Sequence, residues 1–169
     1  MKISYKHHFD ASIDDVVAML SDEEFVAQRA RASGAAGSDV LVDKDDDGSF
    51  TVVIRRTVPA DTIPSEFRAL VGSQVHVRYT EVWAAPDDSR EDAGREGTFA
   101  MEIPGTPGHA RGAVVLTPVD GGTSFGIAGQ VQASVPLVGQ MVERAVASAI
   151  QQALPQELAE ADNWLASRK

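Results

Sequence analysis

The last part of the sequence is an amphipathic segment long enough to cross a small domain. Apolar residues from Met141 to Leu165 recur at spacings of three and four, and polar residues occupy the opposite side. This period predicts one long helix with a single buried face. About 30 helical residues would extend roughly 45 Å. Pro155 lies inside the segment and is expected to kink the helix, because proline lacks a backbone N–H donor.

The first part of the sequence predicts a strand followed at once by two short helices. Residues 2–9 alternate between polar and apolar side chains, which is the period of a strand with one buried face. Ser12 is a suitable N-cap for a helix whose first turn contains Asp14 and Asp15. A second helix is expected to begin at Asp22 and to end near Gly34.

The middle of the chain is predicted to be a succession of strands joined by turns. Turns rich in glycine and aspartate are expected at 45–48 and 120–122, and a turn rich in proline and glycine at 104–108. Apolar and polar residues alternate between these turns. Residues 59–72 are expected to form a connector that includes one helical turn.

The order of these elements indicates the fold class. Strands and helices do not alternate along the chain, which excludes a doubly wound nucleotide-binding fold. The sequence predicts an α+β protein with a curved antiparallel sheet of about six to seven strands. The C-terminal helix is the only large element available to cover the buried face of that sheet. Two short helices follow the first strand.

Length and charge limit the number of domains and the classes of partner. The chain has 169 residues, the size of a single domain spanning 1–169, and its formal net charge is −10. So acidic a protein is not expected to bind nucleic acid or anionic membrane surfaces, since both carry negative charge. The sequence has no cysteine, which excludes disulfides, thiol catalysis and thiolate metal sites.

The sequence also predicts where the protein resides. Residues 1–10 lack the apolar stretch of a secretory signal. Residues 121–142 are too often interrupted by glycine and polar residues to form a membrane span. We therefore expect a cytoplasmic protein with no membrane span. No motif indicates an oligomeric state.

Four segments of the sequence point to a known architecture. They are YKHHFDASIDDV from Tyr5, HVRYTEVW from His76, LTPVDGGT from Leu116 and VPLVGQMVE from Val135. Together with the element order they resemble the helix-grip fold of the START-like (SRPBCC) superfamily, which includes birch-pollen-allergen-like proteins and polyketide cyclases. The sequence looks most like an actinobacterial START-like family filed as a domain of unknown function. The resemblance implies one START-like domain with an apolar cavity between sheet and helix, but no particular chemistry.

No motif in the sequence indicates a catalytic or cofactor site. The acidic turn at 43–48 matches the first half of an EF-hand calcium loop, but Ile54 stands where that loop needs a bidentate glutamate. His7 and His8 are adjacent and therefore point to opposite faces of a strand, and the other histidines lack ligand spacing. No nucleophile elbow or phosphate-binding glycine loop occurs. We predict no metal, no cofactor and no catalytic motif.

Two charged residues are expected to point into the interior of the sheet. Glu81 shares the apolar face of its strand with Tyr79 and Trp83, where an unpaired carboxylate is costly. Arg56 shares a face with Ile54 on the preceding strand. We therefore predict an Arg56–Glu81 pair, which is either a structural ion pair or a polar contact for a ligand.

The small residues of the last helix leave two interpretations open. Ala145, Ala149 and Ala153 form a stripe on one side of the helix, which fits either close packing on the sheet or space for a guest molecule. The family resemblance favours a cavity, which in ligand sites has a volume of about 300–1,000 Å³. The expected lining residues are Tyr79, Glu81, Trp83, Phe99, Met101, Met141, Ala145 and Ala149.

Three functions are compatible with these observations. The first is non-enzymatic binding of a small apolar or amphipathic molecule, lipid-like or polyketide-like, between sheet and helix. The second is an enzyme of the cyclase or hydratase kind in the same cavity, with Glu81, Tyr79 and His7 as candidate acids or bases. The third is an interaction module for another protein, which would need a large exposed apolar patch.

Overall fold

The computed structural model describes residues 1–59, 61, 65, 68, 72 and 74–168. The connector predicted at 59–72, with its helical turn, lies largely outside these described residues. The helices are α1 (Ile13–Leu20), α2 (Glu23–Ala32) and α3 (Gly139–Ala166). The strands are β1 (Lys2–Phe9), β2 (Gly37–Lys44), β3 (Phe50–Pro59), β4 (Gln74–Trp83), β5 (Arg95–Glu102), β6 (Gly108–Val119) and β7 (Gly122–Ala133).

The strands of the described chain form one antiparallel sheet in the order β1-β7-β6-β5-β4-β3-β2. From β2 to β7 every strand pairs with its neighbour in sequence, whereas β1 pairs with β7. The sheet curves around α3, and α1 and α2 follow β1 as predicted. The structure therefore confirms the α+β helix-grip fold.

The two short helices begin where their capping residues predict. The Ser12 hydroxyl accepts a hydrogen bond from the Asp15 backbone N–H at 3.2 Å, which caps α1. The Asp22 carboxylate accepts backbone hydrogen bonds from Glu24 and Phe25, which caps α2. The buried side of α2 carries apolar residues and also Arg29. This orientation brings a guanidinium group into the interior.

Alternation along β3 and β4 determines which side chains face inward. On β4, Glu81 and Trp83 are buried, whereas Val82 between them is exposed. The register pairs Val52 with Glu81 and Arg56 with Val77. Arg56 is therefore four residues, or about 13 Å, further along the sheet than the position opposite Glu81.

Helix α3 packs differently along its length. Leu154, Leu158, Ala161 and Trp164 in its C-terminal half are buried in the core. In its N-terminal half Ala145 is half-buried and Ala149 is exposed. The helix continues through Pro155, which lies on its exposed side. The N-terminal half of α3 thus stands over the sheet without filling the space beneath it.

Candidate functional site

A cavity of about 600 Å³ lies between the inner face of the sheet and the N-terminal half of α3. Its volume is within the range of small-molecule sites. Most of its wall is apolar. The sheet contributes Val58, Val75, Val77, Tyr79, Phe99, Met101, Ile103, Ile127 and Val131, and the helix contributes Val142, Ala145, Val146, Ala149, Ile150, Ala153 and Leu154.

Small side chains on α3 leave this space open. The lining positions of the helix recur at spacings of three and four, so they share one face. Alanine at 145, 149 and 153 places only a methyl group opposite the sheet. Ala149 is exposed and also lines the cavity, so the helix is not packed against the sheet at that point.

One part of the cavity wall is polar and is centred on Arg29. The Arg29 Nε donates a hydrogen bond to Glu157 Oε2 at 2.8 Å, and its Nη2 donates to Glu81 Oε1 at 2.8 Å. The guanidinium also lies 5.3 Å from the centre of the Tyr79 ring. The α2, β4 and α3 elements therefore meet at one buried ion cluster, composed of Arg29, Glu81, Glu157 and the neighbouring Arg56.

Glu81 is held by donors on both of its oxygens. The Tyr79 hydroxyl donates to Oε1 at 2.5 Å and the Trp83 indole Nε1 donates to Oε2 at 3.0 Å. With the bond from Arg29, three side chains bind one carboxylate whose exposure is 1%. A carboxylate this well bound is stable without contact to water.

The charges of this cluster follow from its geometry. Burial opposes ionisation of Glu81, but the Arg29 charge and the three hydrogen bonds outweigh it and lower the pKa of Glu81. Burial opposes the charge of Arg29 as well, yet the Glu81 and Glu157 carboxylates raise the Arg29 pKa well above its ordinary range. Burial and then the Glu81 charge raise the pKa of Tyr79 well above 10.0. At neutral pH Glu81 is therefore ionised and Tyr79 is protonated.

The predicted Arg56–Glu81 ion pair is corrected by the structure. Arg56 Nη2 lies 2.9 Å from Glu157 Oε1, whereas Glu81 pairs with Arg29. The strand register is the reason, because it places Val77 opposite Arg56. Both predicted residues nevertheless face inward and belong to the same cluster, connected through Glu157 and Arg29.

The structure places five of the eight predicted lining residues on the cavity wall: Tyr79, Phe99, Met101, Ala145 and Ala149. Glu81 and Trp83 lie behind the wall, where Trp83 stacks on Phe50 at a ring-centre distance of 6.1 Å. Met141 is 48% exposed, and its neighbour Val142 faces the cavity instead.

Sequence reasoning missed Arg29 and Glu157 as members of the site. Arg29 follows Phe25 by four residues and Val26 by three, so it shares their buried face of α2. Glu157 stands at the same spacing after Ala153 and Leu154 on α3. A charged residue at an apolar position of each helix was the signal that could have found them.

The His7 side chain, a candidate acid or base, is placed elsewhere. Its Nε2 lies 3.0 Å from Asp162 Oδ1. His7 is not among the residues lining the cavity. The structure therefore does not bring His7 together with Tyr79 and Glu81.

A known protein family matches nearly the whole of this chain. The model of a family described as Protein of unknown function (DUF2505) matches residues 4–165. The chain belongs to this family. The match extends from β1 into the last turn of α3, so it includes both walls of the cavity in the DUF2505 chain. No curated protein matches the sequence.

Several solved structures share the fold of this DUF2505 chain. TTHA0849 from Thermus thermophilus has a TM-score of 0.64 at 15% identity, with 100% of this chain and 99% of that chain covered. Zhui aromatase/cyclase from Streptomyces sp. R1128 has a TM-score of 0.60 at 10% identity, with 99% and 94% covered. A START superfamily protein from Mycobacterium smegmatis has a TM-score of 0.57 at 14% identity, with 99% of each chain covered. These likenesses confirm the START-like fold.

In the described part of the chain, no helix combines the length and the apolar character that a crossing requires.

Proposed function

We propose that this DUF2505 protein binds a small apolar or amphipathic molecule, lipid-like or polyketide-like, between the sheet and α3. The observation that carries the proposal is the cavity of about 600 Å³ with a mainly apolar wall. A space of this volume is large enough for a ligand and is lined mainly by residues that favour apolar contact. The alanines of α3 support the proposal, since larger residues at these positions would fill the space.

The titratable groups of the polar cluster are poorly suited to acid–base catalysis, which favours the binding function. A general acid or base works best when its pKa is near the operating pH. The pKa of Glu81 is lowered and the pKa of Tyr79 is raised, so both move away from neutrality. Glu81 also lies behind the wall, with its oxygens bound by protein donors. Neither Glu81 nor Tyr79 therefore has the pKa that a general acid or base of a cyclase-type enzyme would need.

The alternative of a protein-interaction module finds little support on the outer face of the sheet. Leu41 on β2, Val82 on β4 and Val119 at the end of β6 are exposed there, and no two of these strands are neighbours in the sheet. Isolated exposed apolar residues are usual on protein surfaces.

Mass spectrometry of the purified protein, first native and then denatured, tests the proposal. We expect a stoichiometric increase in native mass that disappears on denaturation and yields a small apolar compound. A protein that carries no passenger and also takes up no fluorescent fatty alcohol or fatty acid would overturn the proposal.

A further inference from the structure

The cavity has its mouth at the start of α3. There the Ala133 backbone N–H donates a hydrogen bond to Glu143 Oε1 at 3.1 Å, and the Ser134 N–H donates to the Pro107 carbonyl oxygen at 3.4 Å. These contacts bring together the start of α3, the end of β7 and the turn between β5 and β6. Ser134 and Pro107 line the cavity and are also exposed. This end of the cavity therefore opens to water.

The other end of the cavity lies at the buried ion cluster. The lining positions of α3 continue from Val142 to Glu157, so the cavity extends about 22 Å along the helix. At the Glu157 end, the exposed fractions of the Arg29, Arg56 and Glu157 side chains are only 9%, 13% and 7%. These charged groups therefore present very little polar surface to a molecule inside the cavity.

The polar atoms of the ion cluster are engaged with one another. Arg29 donates to Glu81 and Glu157, and Arg56 forms an ion pair with Glu157. The Tyr79 hydroxyl donates its single proton to Glu81, and its ring forms part of the cavity wall. The two positive and two negative charges cancel. A polar group of a ligand placed at this end would lose its water without gaining a strong partner, which is costly.

We propose that the ligand is an amphiphile with one polar end, bound with its apolar end at the ion cluster and its polar end at the mouth. The inference rests on the proposed binding function and adds the class and the direction of the ligand. At the mouth the polar end keeps its contact with water and lies near the hydroxyl groups of Thr106 and Ser134. A chain that is polar at both ends is a poor ligand, because one polar group must then be buried at the ion cluster.

Three compounds with the same chain length test this direction. Dodecanol, the dodecanediol with a hydroxyl at each end, and dodecyl maltoside below its micelle concentration are titrated against the full chain, with displacement of an environment-sensitive naphthylamine dye as the signal. We expect the diol to bind about tenfold more weakly than dodecanol, because its second hydroxyl is buried without a partner. Dodecyl maltoside should bind within about threefold of dodecanol, since its large sugar head stays outside and the same chain is buried.

Tryptophan fluorescence reports the direction independently. The sequence has two tryptophans, and both lie beyond the inner end of the cavity. Trp83 Nε1 donates to Glu81 at 3.0 Å, and Trp164 is further along α3 than Glu157. Bromine quenches tryptophan only at short range, so dodecanol brominated at its last carbon should quench more strongly than dodecanol brominated beside the hydroxyl. Trp164→Phe leaves Trp83 as the single tryptophan and should keep this order.

Two serine variants on the cavity face of α3 form a matched pair. Ala153 and Ala145 both line the cavity and are half-buried, but Ala153 is nearer the ion cluster and Ala145 nearer the mouth. Ala153→Ser supplies a hydroxyl partner for the inner hydroxyl of the diol, so it should narrow the affinity gap between diol and dodecanol by about threefold. Ala145→Ser makes the same chemical change and should leave the gap at its wild-type value.

The outcomes separate the direction of the ligand from the binding function. Equal affinities for diol and dodecanol, exclusion of dodecyl maltoside, or stronger quenching by bromine beside the hydroxyl would each overturn the direction while leaving the cavity as a binding site. A gap that narrows in Ala145→Ser but not in Ala153→Ser would overturn it as well. Failure of the dye and of every compound to bind the protein would overturn both proposals.

Discussion

Arg29 on α2 and Glu157 on α3 are joined by a buried hydrogen bond of 2.8 Å across 128 positions of sequence. The Nη2 atom of Arg29 donates a second hydrogen bond, to Glu81 on β4. One guanidinium thus connects a short helix, the sheet and the long helix. This contact lies where the packed half of α3 meets the half that stands over the cavity, so it stabilises the boundary between core and cavity.

Replacing Arg29 is expected to destabilise the fold strongly. In Arg29→Met two buried carboxylates, Glu81 and Glu157, lose their shared partner, and breaking a buried pair in this way costs about 3–5 kcal/mol. Urea denaturation measures the change in the free energy of unfolding. Arg55→Met removes only an exposed ion pair with Asp39 and should change stability by about 0–1 kcal/mol. Equal effects of the two variants would contradict the buried role of Arg29.

The stability contributed by Glu81 should depend on pH. Its folded pKa is lower than its ordinary value of 4.5, so near that value the unfolded chain binds a proton more readily than the folded chain. The contribution is therefore present above pH 4.5 and is lost as the pH falls through the lower, folded pKa. Urea denaturation at several pH values should show the stability difference between wild type and Glu81→Gln shrinking below pH 4.5. A difference that is constant with pH would contradict this account.

Filling the cavity should abolish binding without unfolding the protein. Ala149 lines the cavity and is not packed against the sheet, so the indole in Ala149→Trp can occupy the space meant for a ligand. Fluorescent fatty-alcohol binding and circular dichroism measure the two effects. Ser148→Trp is the control, because Ser148 is exposed and does not line the cavity. Unchanged binding by folded Ala149→Trp would show that the ligand lies elsewhere.

Removing the Tyr79 hydroxyl should separate stability from binding. Tyr79→Phe keeps the ring on the cavity wall but deletes one of the donors to Glu81, and hydrogen bonds to charged groups contribute about 1.5–3 kcal/mol. We expect lower stability in urea and dye affinity within about twofold of wild type, since the apolar contact area hardly changes. A large loss of affinity with unchanged stability would show that the Tyr79 hydroxyl contacts the ligand and does not stabilise the fold.

Alternation and spacing predicted much of the fold and part of the site. The alternation in β4 correctly predicted that Glu81 and Trp83 face inward, and the spacing of apolar residues from Met141 to Leu165 predicted α3. The partner of Glu81 could not be predicted in the same way. Inward residues on neighbouring strands pair only if the register brings them together, and that register places Val52 opposite Glu81.

The error at Met141 has a simple geometric cause. Consecutive residues of a helix are rotated by about 100°, so at the margin of the cavity-facing side one residue can point outward while the next one lines the cavity. Spacing identified the face that contains Ala145 and Ala149 but extended it to Met141, whereas Val142 occupies that face. Met141 and Val142 are both apolar, so hydrophobicity alone does not distinguish the exposed residue from the lining one.

The pairing of β1 with β7 also has a consequence for how the protein is made. β1 is synthesised before the other strands of the sheet, yet its partner strand ends at Ala133, and the helix that carries Glu157 comes later still. During translation β1 therefore has no partner strand until β7 is made, and Arg29 lacks one of its carboxylates until α3 is made. Contacts this distant in sequence are associated with slow folding. The core and the cavity can both be completed only after α3 has been synthesised.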